Sequence, residues 1–308
     1  MEVYDVVILG AGPAGLTAGL YSARYARKTI IVGQEIGGTC IKGGTYENWP
    51  GEKEISGFEL INKIKEHVES YNVPIIAKKV TEIKKGGDIF IIKTGKDEIR
   101  GKTIVVSFGT KHRKLEIPGE QELLGKGVSY CATCDGMFFR GKKNVAVIGG
   151  ADSAAKAALF LADIVEKVTI IYRKGELRSE PIYKERIEKK DNIEIIYNSI
   201  PTEILGEETV KSIKLNNEGK ETELDVEGVF IEIGAIPCNQ MLTDLGFEQD
   251  KGCYIKTNRK METNIDGAFV AGDITAGSLK QVVTGAGEGA MAAHSAHEYL
   301  QKLKGGNE

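Results

Sequence analysis

The chain has 308 residues, of which 28% are charged and 41% hydrophobic, and its formal net charge is −3 at pH 7. That length predicts two domains of ordinary size, and the nearly balanced charge argues against nucleic-acid and lipid-surface binding. No stretch approaches the roughly 20 apolar residues of a bilayer span, and the strand pattern near the first residue is expected to leave no room for a signal peptide. Five cysteines, an odd number, favour a reducing compartment and therefore a cytoplasmic location.

The first forty residues carry a dinucleotide-binding pattern. Residues 4–9 are a continuous apolar run, which is typical of a strand buried on both faces. The run leads into the hexapeptide GAGPAG at residues 10–15, a predicted helix over residues 16–26 and a second strand over residues 28–32. The glycines allow a tight turn and a close approach to a pyrophosphate, which the N–H groups of the helix N-terminus can bind. An acid about 20 residues further on should hold the ribose, and Glu35 is the candidate.

The following segment predicts loops, one helix and short strands. We expect a flexible, glycine-rich loop from residue 37 through Gly43-Gly44 to residue 51, an amphipathic helix over 58–71, and strands over 79–83, 89–93 and 103–108. The loop either lies against a flat ligand or is a simple connection, and composition does not separate these interpretations. The polar segment 111–120 is interpreted as a crossover to a second domain.

The hexapeptide CATCDG at residues 131–136 carries the reactive groups. Cys131 and Cys134 can close a disulfide ring, and thiols in such motifs tend to have a lowered pKa. Asp135 lies next to the second sulfur and could exchange a proton with it. The alternative is half of a zinc site, which needs two more ligands. No second C-x-x-C pair exists, so His294 and His297 are the matching candidates.

A second, altered dinucleotide pattern follows the cysteines. A predicted strand over residues 144–148 opens the hexapeptide GGADSA at residues 149–154, an alanine-rich helix and a strand over 167–171. Alanine is permitted at the last glycine position, whereas Ala151 at the middle position crowds the approach of a pyrophosphate.

Basic residues follow the strand at 167–171, where an acid would select NAD. Arg173, Lys174 and Arg178 suit the 2′-phosphate of NADP. The alternative is a solvated basic turn whose positive charge Glu176 dilutes.

The remainder predicts short strands and polar turns up to about residue 234, a strand over 267–273 that ends in Gly-Asp, and a helix over 281–300. The N-terminus of that helix could stabilise negative charge on a ligand.

Together these motifs resemble one known family along essentially the whole chain. GAGPAG, ENWPG at 47–51, CATCD, GGADSA, GAFVAGDIT at 267–275 and KQVVTGAGEGAMAA at 280–293 are similar to the low-molecular-weight, prokaryote-type thioredoxin reductases. The resemblance implies an α/β fold of two Rossmann-like domains of the three-layer ββα type, the second inserted into the first. Residues 1–112 and 240–308 would form the FAD domain, and residues 113–239 the NAD(P)H domain that carries the redox disulfide.

The resemblance also implies a role for individual residues. Cys134 would face the flavin, Cys131 would attack the partner protein, and Asp135 would be the general acid. The implied FAD-binding residues are Gly10, Gly12, Pro13, Ala14, Gly15, Glu35, Gly37, Gly38, Thr39, Asn48, Val80, Gly109, Gly272, Asp273, Lys280, Gln281 and Val282. The implied NADPH-binding residues are Gly149, Gly150, Ala151, Asp152, Ser153, Ala154, Arg173, Lys174 and Arg178. No metal is implied, and Cys40, Cys238 and Cys253 are interpreted as non-catalytic thiols.

The activity implied is a disulfide reductase that passes electrons from NADPH through FAD and the Cys131–Cys134 disulfide to thioredoxin or a thioredoxin-like protein, in a homodimer with no nucleic-acid or membrane partner. Four departures from the family pattern limit the transfer: Thr39-Cys40, Ala151, Tyr172-Arg173-Lys174, and Lys280 where arginine is usual. The departures at 151 and 172–174 leave NADH, ferredoxin or another donor as alternatives. A non-enzymatic FAD-binding redox sensor is the hypothesis from a different class.

Overall fold

The structure is a computed structural model that describes residues 2–42, 45–277 and 279–305. Its strands are β1 (Val3–Leu9), β2 (Thr29–Val32), β3 (Thr45–Tyr46), β4 (Ile55–Ser56), β5 (Ile75–Ile76), β6 (Glu82–Gly86), β7 (Ile89–Thr94), β8 (Asp97–Val106), β9 (Thr110–His112), β10 (Val128–Ser129), β11 (Val145–Ile148), β12 (Val168–Ile171), β13 (Ile193–Ile196), β14 (Ser199–Gly206), β15 (Val210–Asn217), β16 (Lys220–Asp225), β17 (Val229–Ile231), β18 (Ala235–Pro237) and β19 (Ala268–Val270). Its helices are α1 (Pro13–Arg24), α2 (Gly57–Glu69), α3 (Ala132–Asp135), α4 (Asp152–Ala162), α5 (Pro181–Glu188), α6 (Gln240–Asp244) and α7 (Val282–Gly305), with short 3₁₀ turns at Gly38–Lys42 and Gly136–Phe139.

The chain divides into two compact units, residues 1–111 with 236–308, and residues 112–235. The first unit is built on a sheet of order β5-β2-β1-β8, which is parallel and to which β19 adds beside β8. Strands β6 and β7 continue the sheet in antiparallel order beside the first half of β8. The central strands bury both faces, which explains the uninterrupted apolar run of β1.

Three layers form the core of the first unit. Helices α1, α2 and α7 pack on one face of the sheet, and the antiparallel strands and α6 pack on the other. Ser56 begins α2, because its side chain accepts a hydrogen bond of 3.1 Å from the Glu59 N–H. The α1 helix begins with Pro13, directly after the glycine turn.

The second unit repeats this plan. Its parallel sheet has the order β10-β17-β11-β12-β13. Helices α4 and α5 cover one face, and the antiparallel sheet β14-β15-β16 contributes to the apolar cluster on the other. The predicted α/β class with two Rossmann-like domains is therefore confirmed.

Two local predictions were wrong. The strand expected over residues 79–83 begins at Glu82, and Lys79 and Val80 precede it without strand pairing. Helix α5 was expected as strand and turn, because half of its sequence PIYKERIE is charged, most of it is exposed, and Ile187 is its buried residue. None of the helices in the described part of the chain combines the length and apolar character that a bilayer span needs.

The first glycine turn generates a test of the fold. Gly10 has φ +117°, and a Cβ placed on it would lie 2.2 Å from the Ser107 carbonyl oxygen. Gly10→Ala should therefore lower the free energy of unfolding in urea by about 3 kcal/mol, the sum of backbone strain and overpacking.

Gly87→Ala is the matched control. Gly87 also has a positive φ, +61°, but an added Cβ meets no atom within 4 Å. Its expected cost is about 1 kcal/mol, and equal costs for the two variants would contradict the close packing at Gly10.

Candidate active site

A cleft of about 440 Å³ lies at the carboxyl ends of the parallel strands of the first unit. Its walls come from the segments that follow β1, β2, β8 and β19 and from the start of α7. This edge is where open α/β sheets bind ligands, because the helix N-termini and the strand-to-helix turns meet there.

Most of the residues predicted to bind FAD line this cleft. They are Gly10, Gly12, Pro13, Ala14, Glu35, Gly38, Thr39, Val80, Gly109, Gly272, Asp273, Lys280, Gln281 and Val282. Gly15 does not line it: a Cβ on Gly15 would lie 1.9 Å from the Gly10 oxygen, so this glycine lets α1 pack on the turn. The Gly37 N–H donates to the Ala11 oxygen at 2.7 Å. Asn48 stands at the edge, where its amide donates to Gln281 Oε1 at 3.0 Å.

The cleft contains a half-buried charged group. The Lys280 ammonium donates to the Thr275 oxygen and lies 4.5 Å from the centre of the Tyr254 ring. Burial lowers the pKa of Lys280, while the Asp273 carboxylate opposes that shift, and burial raises the pKa of Asp273. Lys280 and Asp273 are therefore two partly desolvated groups of opposite charge in the cleft wall.

Sequence reasoning missed Glu288, whose side chain holds the loop that carries Asp273. Glu288 on α7 accepts hydrogen bonds from the Gly272 N–H at 2.7 Å and from the Thr275 hydroxyl at 3.3 Å. It thereby fixes the loop after β19, and burial raises its pKa. The signal was a lone acid within the small-residue helix sequence GAGEGAMAA.

The redox-type motif lies in the second unit, where Cys131 and Cys134 form a disulfide. Their Cα atoms are 5.3 Å apart. Cys131 caps the short helix α3, and its sulfur accepts a hydrogen bond of 3.2 Å from the Cys134 N–H. Within the chain Cys131 is half-buried and Cys134 is exposed. The Asp135 carboxylate accepts a hydrogen bond of 2.6 Å from the Ser129 hydroxyl.

The zinc interpretation finds no support. In the described part of the chain, no group of three or more His, Cys, Asp and Glu side chains is arranged to hold a metal. His297 accepts a hydrogen bond of 3.0 Å from the Arg27 guanidinium, and His294 bonds the Tyr25 hydroxyl at 3.0 Å.

The second fingerprint forms the same kind of turn as the first. Gly149 has φ +149°, and a Cβ on it would lie 2.3 Å from the Glu232 oxygen. Ala151 is the residue before α4 and has an extended backbone, with φ −108° and ψ −173°. The Asp152 carboxylate accepts the Glu180 N–H at 2.7 Å, and Ala154 is fully buried.

The three predicted basic residues at this turn differ in whether other groups of the protein engage them. Arg173 and Lys174 are exposed directly after β12. Arg178 donates through its side chain to the Tyr172 hydroxyl at 3.0 Å and through its backbone N–H to the Gly150 oxygen. The Tyr172 ring is buried against Gly150, so close that a Cβ on Gly150 would lie 2.5 Å from it.

Glu232 is a further residue that sequence reasoning missed. It directly follows β17, its N–H donates to the Ile148 oxygen at 2.8 Å, and its side chain bonds Ser153 of the second fingerprint. Burial raises the pKa of Glu232 to about 7, and the Ser153 hydrogen bond opposes that rise. The signal was an acid within the apolar strand sequence VFIEI.

The comparisons with known proteins give the family of the chain. A family model described as pyridine nucleotide-disulphide oxidoreductase matches residues 4–289. The chain belongs to this family. It is 38% identical over 307 residues to a thioredoxin reductase of Bacillus subtilis, covering 98% of this chain and 96% of the relative. The predicted membership of the low-molecular-weight thioredoxin reductases is thereby confirmed, and the chain is an oxidoreductase of that type.

Two solved structures extend the comparison. A Lactococcus lactis thioredoxin reductase in its FR conformation is 40% identical with a TM-score of 0.94, covering 97% of this chain and 99% of that one. A ferredoxin-flavin thioredoxin reductase from Clostridium acetobutylicum is 35% identical with a TM-score of 0.54, covering 98% and 99%. The name of the second structure indicates ferredoxin as its electron donor, whereas the name of the first specifies no donor.

The partly buried Glu232 carboxyl predicts a pH dependence of stability. Its folded pKa of about 7 lies above its ordinary value of 4.5, so the folded state holds the proton that the unfolded state loses as the pH rises between these values. Relative to Glu232→Gln, the wild-type protein should lose about 2 to 3 kcal/mol of unfolding free energy between pH 5 and pH 8. Urea unfolding at the two pH values measures this, and parallel losses in both proteins would refute the burial of the carboxyl.

Proposed function

We propose that the protein is a flavoprotein disulfide reductase that passes electrons from NADPH through FAD and the Cys131–Cys134 disulfide to thioredoxin or a thioredoxin-like protein. The observation that carries the proposal is the closed Cys131–Cys134 pair, which ends fifteen residues before Gly149 in the same compact unit. The other unit of the chain holds a glycine-lined cleft. The proposed setting is a cytoplasmic homodimer.

The cleft of the first unit fits FAD. Gly12 lines the cleft with its backbone alone. A Cβ added to it would have its nearest neighbour 3.9 Å away, so a side chain at this position would project into the open cleft. The N-terminus of α1 follows directly and supplies N–H groups for a pyrophosphate. Glu35 would accept from the adenosine ribose, and Asp273 would bond the ribityl chain. When bound, a flavin supplies the conversion between hydride chemistry and thiol chemistry.

The protein's own residues favour attack by Cys131. In the reduced pair, the Cys134 N–H that points at the Cys131 sulfur would stabilise a thiolate there. That thiolate forms a bond to one sulfur of the thioredoxin disulfide, and the other thioredoxin sulfur leaves as a thiolate and takes up a proton. Asp135 is the proposed proton donor, held in place by the Ser129 hydroxyl. Cys134 then attacks Cys131, which restores the disulfide and releases reduced thioredoxin.

Serine at either sulfur tests this assignment. Cys131→Ser and Cys134→Ser should each lower steady-state reduction of thioredoxin by roughly a thousandfold or more, because no second thiol can complete the exchange. The assay follows NADPH oxidation with thioredoxin as the acceptor.

Cys253→Ser is the matched control, because Cys253 is a free exposed thiol in the other unit. It should retain full turnover. Undiminished turnover in either active-site variant would refute the mechanism, and flavin binding with no turnover in the wild-type protein would favour the redox-sensor hypothesis.

NADPH is proposed as the donor on the basis of the second unit. Gly149 makes the required tight turn, and Arg173 and Lys174 stand exposed at the carboxyl end of β12, where a 2′-phosphate would lie. Ala151 and the engagement of Arg178 with Tyr172 weaken this basis. NADH and ferredoxin remain the alternative donors, the latter because of the ferredoxin-flavin relative.

Removing the positive charge of Arg173 distinguishes NADPH from NADH as the donor. Arg173→Ala should raise the Kd for NADPH about tenfold by removing a charge-assisted contact with the 2′-phosphate. It should leave the Kd for NADH unchanged, since that nucleotide has no 2′-phosphate. Equilibrium binding to the oxidised protein and anaerobic flavin reduction measure both nucleotides and reduced ferredoxin.

Lys167→Ala is the control, because Lys167 lies at the opposite end of β12 and pairs with Glu194. It should change neither constant. Equal loss of NADPH and NADH binding in Arg173→Ala, or flavin reduction by ferredoxin alone, would refute NADPH as the donor.

A further inference from the structure

Glu232 stands at the centre of the second unit's ligand-binding edge. Strand β17 lies between β10 and β11, with Ser129 paired to Phe230 on one side and Ile148 paired to Ile231 on the other. Glu232 is the next residue after β17, so Gly149 lies beside it on the β11 side. Glu232 therefore lies beside the dinucleotide fingerprint, at the carboxyl end of the strand between β10 and β11.

The side chain of Glu232 is directed to the fingerprint itself. Its carboxyl hydrogen-bonds the hydroxyl of Ser153, which lies in the first turn of α4. That turn is where the fingerprint would hold a pyrophosphate. Burial raises the pKa of Glu232 to about 7, so the neutral and charged forms are both populated near neutral pH.

The charged groups on the neighbouring elements are engaged elsewhere. On α4, Asp152 accepts the Glu180 N–H, and the Lys156 ammonium lies 5.2 Å from the centre of the Tyr183 ring. On α3, Asp135 accepts from Ser129. Strand β11 is apolar throughout.

The charged groups that follow β12 do not pair with Glu232 either. Arg178 bonds Tyr172 through its guanidinium, and Arg173 and Lys174 are exposed. Among the described residues, none of these groups forms an ion pair with Glu232. An ionised Glu232, which has only the Ser153 hydrogen bond to stabilise its charge, would therefore meet the pyrophosphate as a like charge in a partly desolvated place.

We propose that Glu232 determines when the second unit binds its dinucleotide, because the pyrophosphate is accepted only when this carboxyl is protonated, so that binding takes up one proton. The protonated carboxyl also becomes a hydrogen-bond donor, which suits a phosphate oxygen or the oxygen of a carboxamide. The inference rests on the proposed function in one respect, that a pyridine dinucleotide occupies this fingerprint.

The test measures binding of NADP⁺, which cannot reduce a flavin, to the oxidised holoprotein by calorimetry. At pH 8 the charged form of a group with a pKa of about 7 outnumbers the neutral form about tenfold, so the Kd should be about tenfold larger than at pH 6. Repeating the titration in two buffers of different ionisation enthalpy should show uptake of about one proton at pH 8 and almost none at pH 6.

The readout is the difference between wild type and Glu232→Gln. The 2′-phosphate of the ligand has a pKa of about 6 and contributes its own proton exchange, which is common to both proteins. Glutamine keeps the shape and the hydrogen-bond donor without the charge, so this variant should bind at pH 8 nearly as tightly as at pH 6, apart from that common contribution.

Glu227→Gln is the matched acid control. Glu227 lies before β17, at the opposite end of the strand from the fingerprint, and bonds Lys142 and the Lys143 N–H. It should keep the full wild-type pH dependence.

The outcomes separate this inference from the proposed function. If NADP⁺ binds and its Kd changes equally with pH in wild type and Glu232→Gln, the role of Glu232 is refuted while the nucleotide site stands. If neither NADP⁺ nor NAD⁺ binds any of the proteins at either pH, the nucleotide donor is refuted and the role of Glu232 is refuted with it.

Discussion

The contact on which both units depend is a backbone approach that only glycine permits. In the first unit, Gly10 lies against the Ser107 carbonyl, and in the second, Gly149 lies against the Glu232 carbonyl. Added Cβ atoms would stand 2.2 and 2.3 Å from these oxygens, well inside van der Waals contact. The first turn of the following helix is therefore held directly above the end of the neighbouring strand, and that arrangement opens the cleft toward the helix N-terminus.

The two units show how one geometry can carry different chemistry. The residue after the neighbouring strand donates its N–H to the last residue before the glycine turn in both, from Ser107 to Leu9 and from Glu232 to Ile148. Ser107 uses its hydroxyl on the backbone oxygens of Leu9 and Gly10 and stays neutral. Glu232 instead introduces an ionisable group at the equivalent place.

Much of this arrangement could be predicted from the sequence because it depends on local patterns. Apolar strands running into glycine turns fixed the places of β1, β11 and the helices that follow them, and the spacing of Cys131 and Cys134 allowed a small ring. Helix α5 could not be predicted in this way, because its packing depends on a single buried side chain, Ile187. The Asn48–Gln281 hydrogen bond joins residues 233 positions apart, and no local pattern contains it.

The departures at residues 151 and 172 look alike in the sequence but differ in physical consequence. Ala151 has a negative φ of −108°, so its position places no demand on glycine's conformational freedom and its methyl adds only bulk. Tyr172 is a structural partner: its ring occupies the space over Gly150, its hydroxyl accepts from Arg178, and the Arg178 N–H returns to the Gly150 oxygen. Tyr172, Arg178 and Gly150 therefore contact one another in turn, and these contacts hold the glycine turn of the second fingerprint against the end of β12. The second fingerprint is thus held by packing between Tyr172, Arg178 and Gly150. Under the proposed function, Arg173 and Lys174 are the exposed cations beside it that a 2′-phosphate would meet.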